Sequence, residues 1–229
     1  MPARSARDPV TTPDSSFELS LLNSGAEHVA GVDEAGRGSW AGPLYAATVL
    51  LNREAFLDPA ALNGVRDSKM LSARRRDEMF GSIIDTAVAI GVSRVEARLV
   101  DRIGIVEATR EAMLQALDSL PVRPDVVLVD SVRLPRVSEY HGIHHSFDHA
   151  DEKCLSVAAA SICAKVSRDR DMITRSARYP GYSFETNMGY GTPQHRAALE
   201  RLGLCAIHRR SFRPMRENSA FGEKVAPVD

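Results

Sequence analysis

Residues 31–51 read GVDEAGRGSWAGPLYAATVLL, and this stretch decides the architecture. An apolar run from Val29 to Val32 ends at two adjacent acids, Asp33 and Glu34. A glycine-rich turn follows, and Leu44 to Leu51 resumes with β-branched and aromatic character. The pattern predicts two strands joined by a tight loop. As a bare string, Gly36-x-Gly38-x-x-Ala41 also fits the dinucleotide-binding fingerprint, but that motif needs a helix to open at the glycines. Pro43 and the apolar run after it predict a strand there instead, which argues against a nicotinamide or flavin site. Adjacent strand residues point to opposite faces, so Asp33 and Glu34 share a site only if the glycine turn bends the chain or one of them acts through its backbone.

Working outward, Ser72 to Thr86 carries a serine cap and a basic face and predicts a helix, and Ala87 to Ser93 predicts a third strand. Helical spacing runs from Ile105 to Leu120, where Pro121 stops it. Val126 to Val129 is wholly apolar, the mark of a strand covered on both faces, and Asp130 ends it. From Asp151 to Tyr179 there is no Gly or Pro, and the middle, SVAAASICAKV, predicts a helix packed closely on a sheet. Strands first, then alternating helix and strand, indicate an α/β or α+β layered domain with a mixed sheet.

The 229 residues, 44% hydrophobic and 26% charged, suit one globular domain. Polar, aperiodic ends predict a disordered tail over 1–24 and a flexible tail over 218–229, leaving 25–217 as the domain. No apolar run reaches the roughly 18 to 20 residues of a membrane span, and no secretory signal is evident, so a soluble, cytoplasmic protein is expected. Three cysteines without a Cys-x-x-Cys pair are expected to be buried free thiols. His141, His144, His145 and His149 complete no zinc pattern and read as a polar loop.

A net charge of −1 excludes binding of nucleic acid by bulk positive charge. Between Lys165 and Glu217, however, eleven Lys or Arg face five Asp or Glu. Tyr179, Tyr182, Phe184, Tyr190 and Phe212 interleave with them, as suits a surface that follows phosphates and stacks on sugars or bases. Asp33 and Asp130 end predicted strands and Asp151 opens the buried helix, so a single sheet edge can gather all three. Crowded carboxylates repel unless a cation joins them, and an oxygen-only ligand set favours Mg²⁺ or Mn²⁺. Two such ions are the usual machinery for displacement at phosphorus, which points to phosphodiester hydrolysis.

With these residues assembled, the sequence resembles the ribonuclease HII family of bacterial type 2 ribonucleases H, from about Glu27 to Pro214. The resemblance rests on five motifs in order: GVDEAGRGSWAGP, RDSKMLS at 66–72, VLVDS at 127–131, ADEKCLSVAAASICAKVSRD at 150–169, and MGYGTPQH at 188–195 with HRRSF at 208–212. It implies a ribonuclease H-like α/β fold, a five-stranded mixed sheet flanked by helices with a helical C-terminal extension. It also implies an endonuclease that hydrolyses the RNA strand of RNA–DNA hybrids and cuts 5′ to single ribonucleotides in duplex DNA. The products would carry 5′-phosphate and 3′-hydroxyl ends, in ribonucleotide and RNA primer removal.

By the same resemblance, Asp33, Glu34, Asp130 and Asp151 would be the catalytic acids holding two Mg²⁺ or Mn²⁺ ions, with Asp169 and Asp171 in supporting roles. Gly36, Arg37 and Gly38 would contact the ribonucleotide's 2′-hydroxyl and its phosphate. Tyr190 would test the sugar on the 3′ side, and Ser68 and Lys69 would lie near substrate phosphate. Thr186, Asn187 and Met188 depart from the Lys- and His-bearing run usual before that tyrosine, which removes positive charge. A monomer is expected. The competing class is a non-catalytic hybrid-binding module on the same scaffold, which four intact acids facing a polyanion argue against.

Overall fold

A computed structural model describes residues 13–58, 62–65, 68, 71–134 and 143–217. Its centre is a five-stranded sheet of β1 (Val29–Ala35), β2 (Leu44–Leu51), β3 (Ala87–Val95), β4 (Val126–Asp130) and β5 (Ile143–Phe147), in the order β3-β2-β1-β4-β5. β2 runs antiparallel to β1 and β3, while β4 runs parallel to β1 and β5, so the sheet is mixed as expected. Every residue of β2 is buried. Cover on both faces is why its sequence shows no alternation.

One face carries α3 (Ala73–Thr86) and the long α6 (Leu155–Ser176), packed on Ala47, Val49 and Leu51 through Ile83, Ala158 and Ile162. The other carries α5 (Ile105–Asp118), whose Ala108, Ala112 and Met113 meet Val32, Ala46 and Val127. α6 sits very close to β1: a Cβ on Gly31 would lie 2.2 Å from the Ser156 carbonyl carbon. The small residues of SVAAASICAKV permit this approach.

Three expectations change. The tail expected over 1–24 contains an ordered helix, α1 (Ser16–Asn23), and its Glu18 is fully buried. Glu18 Oε1 accepts both the amide and the hydroxyl of Ser156 at 2.9 Å, satisfying a free N–H at the start of α6. Asp151 therefore is not the cap of that helix: it lies in a separate 3₁₀ turn, Ala150–Glu152, and α6 opens only at Leu155. The third change is in the histidine segment, where His144 and His145 belong to the edge strand β5, while His141 and the tail at 218–229 lie outside the described residues.

Short α2 (Arg53–Leu57) and α4 (Ala97–Ile103) connect the layers. Beyond α6, α7 (Phe184–Asn187), α8 (Pro193–Leu202) and α9 (Arg213–Glu217) form the expected helical extension. It has its own core of Tyr182, Phe184, Leu199 and Ile207 against Ala41 and Met172. Tyr182 and Phe184 stack on each other inside that core, ring centroids 5.3 Å apart, so they do not offer a stacking surface to a ligand. A small appendage needs its aromatics for its own stability. Cys154, Cys163 and Cys205 are buried free thiols. Among the described residues no helix is long and apolar enough to cross a membrane.

Candidate active site

The acids meet at the C-terminal edge of the sheet's parallel pair. β1 and β4 run in register up to Val32 opposite Val129, so Asp33 and Asp130 follow as the next residues of neighbouring strands. Strand alternation puts both on the α6 side, since Val32 and Val129 pack toward α5. The Ala150 amide donates to Asp130 Oδ1 at 2.8 Å and brings Asp151 to the same edge. Asp33 and Asp151 are only 4% and 3% exposed.

Asp33 is held well above the usual carboxylate range, first by burial, then by the charges of Glu34, Asp130 and, least, Asp151. A hydrogen bond with the Ser161 hydroxyl works in the opposite direction. Three carboxylates, two of them from distant segments, thus act on Asp33. The chain turns only at the glycines after the pair: pairing with β2 continues through Glu34 opposite Ala46 and Ala35 opposite Tyr45, and Gly36 follows with φ +89°. Glu34 nevertheless acts on Asp33 more strongly than any other carboxylate, from a strand that stays regular. Its Oε1 also lies 3.6 Å from Arg37 Nη1.

The glycine turn beside the acids is shaped from beneath by two arginines. Gly36 has φ +89°, and a Cβ there would meet Arg168 Nε at 2.0 Å. Arg168 is fully buried and donates to the Pro43 carbonyl at 3.0 Å, the Ser39 hydroxyl at 2.8 Å and the Ala41 carbonyl at 3.2 Å. Arg209, also fully buried, donates to the carbonyls of Gly42, Gly36 and Arg37 at 3.1, 2.7 and 3.0 Å. Burial, followed by the charge of Arg168, pushes Arg209 down to about 9. Read from sequence these were two of the eleven surface bases; they are internal supports of the turn. The turn's carbonyls point inward to them. Arg37 and Gly38 remain exposed on the outside.

Tyr190 is half-buried beside this turn, its ring 5.2 Å from Arg168 Cζ and 5.3 Å from Lys165 Nζ. Its neighbour Gly189 accepts the amides of Trp40 and Ala41 at 2.8 and 3.1 Å, joining the tyrosine to the glycine turn. Ser68 is buried with its hydroxyl 3.0 Å from that of Ser161, the group that touches Asp33. Lys69 lies outside the described residues. Asp169 pairs with Lys165 at 2.6 Å and Asp171 with Arg175 at 2.7 Å, so both serve ion pairs along α6. The sequence reads His149 as a polar-loop residue and gives Glu152 no role, yet their ligand atoms lie with that of Asp151 within 4.8 Å of one another. Their position in HADEK, flanking Asp151, was the available signal. Carboxylate oxygens dominate this donor set, which fits hard divalent cations.

The ribonuclease HII family model matches residues 30–215. A ribonuclease HII of Chloroflexus aurantiacus is 46% identical over 205 residues, 90% of this chain and 95% of that protein. One of Listeria monocytogenes is 45% identical over 201 residues, 88% of this chain and 74% of that protein. Among solved structures, ribonuclease H2 of Pyrococcus horikoshii is similar with TM-score 0.71 and 31% identity, over 83% of this chain and 96% of that one. A Bst-RNase HIII in complex with Mn²⁺, 19% identical over 93% of this chain and 74% of that one, shares the fold with TM-score 0.63. With its mixed sheet and helical extension matching these structures, the chain belongs to the ribonuclease HII family and is a hydrolytic nuclease.

Proposed function

We propose that the protein hydrolyses the RNA strand of RNA–DNA hybrids and cuts 5′ to single ribonucleotides in duplex DNA. Water attacks the phosphorus, the bond to the preceding 3′ oxygen breaks, and the ends are a 5′-phosphate and a 3′-hydroxyl. The observation that carries this reading is the gathering of Asp33, Glu34, Asp130 and Asp151 at one sheet edge, around a buried Asp33. A protein that only binds a polyanion gains nothing from such a cluster. These carboxylates would hold two Mg²⁺ or Mn²⁺ ions, which would lower the barrier by activating water and neutralising charge developing on the phosphate.

The chain's own residues provide selection. At the turn, Arg209 occupies the carbonyls of Gly36 and Arg37 and Arg168 that of Ala41, while Arg37, with its guanidinium, and Gly38 face outward. Among the described residues a Cβ at Gly38 would meet no atom within 4 Å, which leaves room there for a sugar and its phosphate. The 2′-hydroxyl, which alone tells RNA from DNA at one position, is read there. Tyr190 tests the following sugar and favours a ribose-to-deoxyribose junction. Lys69 and the Ser68 segment serve the neighbouring phosphates, and the enzyme acts as a cytoplasmic monomer in ribonucleotide and primer removal.

The test is incubation with a duplex containing one ribonucleotide, in Mg²⁺, Mn²⁺ or EDTA, with the product ends mapped. Incision on the 5′ side of the ribonucleotide with either metal, abolished by EDTA, is the expected result. Tight binding without incision under every condition would instead identify a non-catalytic hybrid-binding module.

A further inference from the structure

His195 and His208 belong to motifs that the proposed chemistry leaves unused, and both are buried, at 0% and 2% exposure. His195 sits in the first turn of α8, where Thr192 caps its amide. His208 lies between Ile207 and Arg209, the buried support of the glycine turn. The two rings share a cage with Trp40, Tyr182 and Phe184.

The hydrogen bonds along this pair favour one arrangement of protons, the Cys205 carbonyl at 3.3 Å being the more distant partner of His208 Nδ1. The Cys205 amide donates to His208 Nδ1 at 2.9 Å, and the Cys205 thiol lies 3.1 Å from the same nitrogen. Nδ1 of His208 is therefore an acceptor, and its proton is on Nε2. His208 Nε2 is 3.0 Å from His195 Nε2, so His208 donates and His195 accepts. The remaining proton of His195 is then on Nδ1, 3.0 Å from the Tyr190 carbonyl oxygen. That oxygen also accepts the Thr192 amide at 2.8 Å, so both of its lone pairs are engaged. The opposite arrangement sets the Cys205 amide against an N–H and leaves two acceptors face to face at Tyr190. An extra proton on either ring creates a donor–donor clash.

We propose that His195 and His208 form a neutral imidazole relay that fixes the Tyr190 carbonyl, making both of them positioning residues for the ribose test. The relay rests on the role given to Tyr190 above. It joins the C-terminal extension to the recognition turn: one end is anchored at Cys205, next to the strand of chain that carries Arg209, and the other at the tyrosine. Neither ring touches substrate.

Two measurements test it. In the full chain labelled with ¹⁵N-histidine, the relay requires His195 in the Nδ1–H form and His208 in the Nε2–H form, both neutral at pH 6. The reverse tautomers, or a charged ring in the pair, would overturn it. The second measurement compares His195→Asn with His195→Gln. Asparagine places its amide where Nδ1 lies and keeps a donor to Tyr190, whereas glutamine places its amide where Nε2 lies and loses that donor. The kcat/KM ratio for a single embedded ribonucleotide over a long hybrid should fall about five- to tenfold further in the glutamine variant, the order of one hydrogen bond. Equal ratios in the two variants, with Tyr190→Ala still altering the ratio, would reject the relay alone. An unchanged ratio in Tyr190→Ala would reject the underlying role of the tyrosine. Should the variants fail to fold, the tautomers of the unmodified protein decide.

Discussion

The Asp130 carboxylate accepts the Ala150 amide at 2.8 Å, tying the end of β4 to the turn that carries Asp151. One acid thus positions another, and the two functions of Asp130 can be separated. Asn retains an oxygen acceptor for Ala150 but lacks the charge. Asp130→Asn should unfold at nearly the wild-type temperature and lose at least about 100-fold in cleavage rate, since losing an anionic ligand weakens the hold on a metal ion whose charge is worth several kcal/mol at the reacting phosphate. Asp130→Ala should lose the same activity and a further ~1–2 kcal/mol of stability, for the unpaired amide. Calorimetry with a single-turnover cleavage assay checks both, and substantial activity in Asp130→Asn would remove that residue from the catalytic set.

The two glycines of the recognition turn should respond differently to alanine. Gly36 needs its positive φ and lies against Arg168, so Gly36→Ala should cost ~2 kcal/mol or more, for backbone strain and overpacking together. At Gly38 the space is open. Gly38→Ala should therefore keep its stability within ~0.5 kcal/mol while raising KM for a ribonucleotide-bearing duplex. Chemical denaturation and steady-state kinetics on both variants give the answer, and a KM unaffected by Gly38→Ala would free that position from substrate contact.

Tyr190 stacks against Lys165 and Arg168 through its ring face, while its carbonyl meets His195 Nδ1. Tyr190→Phe keeps that stacking and Tyr190→Ala removes it. The preference for a lone ribonucleotide over a long hybrid should fall in Tyr190→Ala by about tenfold or more and stay nearer wild type in Tyr190→Phe, on the ~1–3 kcal/mol scale of a stacking contact. Parallel kcat/KM measurements on the two substrates test this, and an unaltered preference in Tyr190→Ala would contradict it.

Much of this site was legible because its residues lie at breaks in regular patterns. Asp33, Glu34 and Asp130 end apolar runs, and a run that is apolar throughout marks a strand buried on both faces. β5 was not legible: Ile143–Phe147 reads IHHSF, a half-exposed edge strand with one neighbour and therefore little hydrophobic signal. α1 was missed because its key residue, Glu18, acts on Ser156, 138 positions away. The start of the long helix was misplaced for the same reason, as its cap comes from elsewhere in the chain. Arg168 and Arg209 looked like surface bases, since local sequence does not distinguish an arginine facing water from one satisfied by carbonyls of a distant loop.

Burial also predicts acid sensitivity. His208 is pushed down to about 3 from an ordinary 6.5, mainly by burial and then by His195, which burial lowers as well. Below pH 6.5 the unfolded chain takes up protons that the folded pair refuses, so the stability present above that pH is lost as pH falls toward 3. His208 contributes a slope of about 1.4 kcal/mol per pH unit inside that window. Urea unfolding at pH 7, 6 and 5 should show a shallower decline in His208→Gln than in wild type. Parallel profiles would mean that His208 is protonated in the folded protein.

The central claim is that Asp33, Glu34, Asp130 and Asp151 form one metal-binding centre. Anomalous scattering from crystals grown with Mn²⁺ tests it most directly. The account predicts manganese within about 2.2 Å of carboxylate oxygens of Asp33, Asp130 and Asp151, the spacing of a hard cation to oxygen ligands. Manganese confined to His149 and Glu152 at the periphery, or absent at saturating concentration, would contradict it.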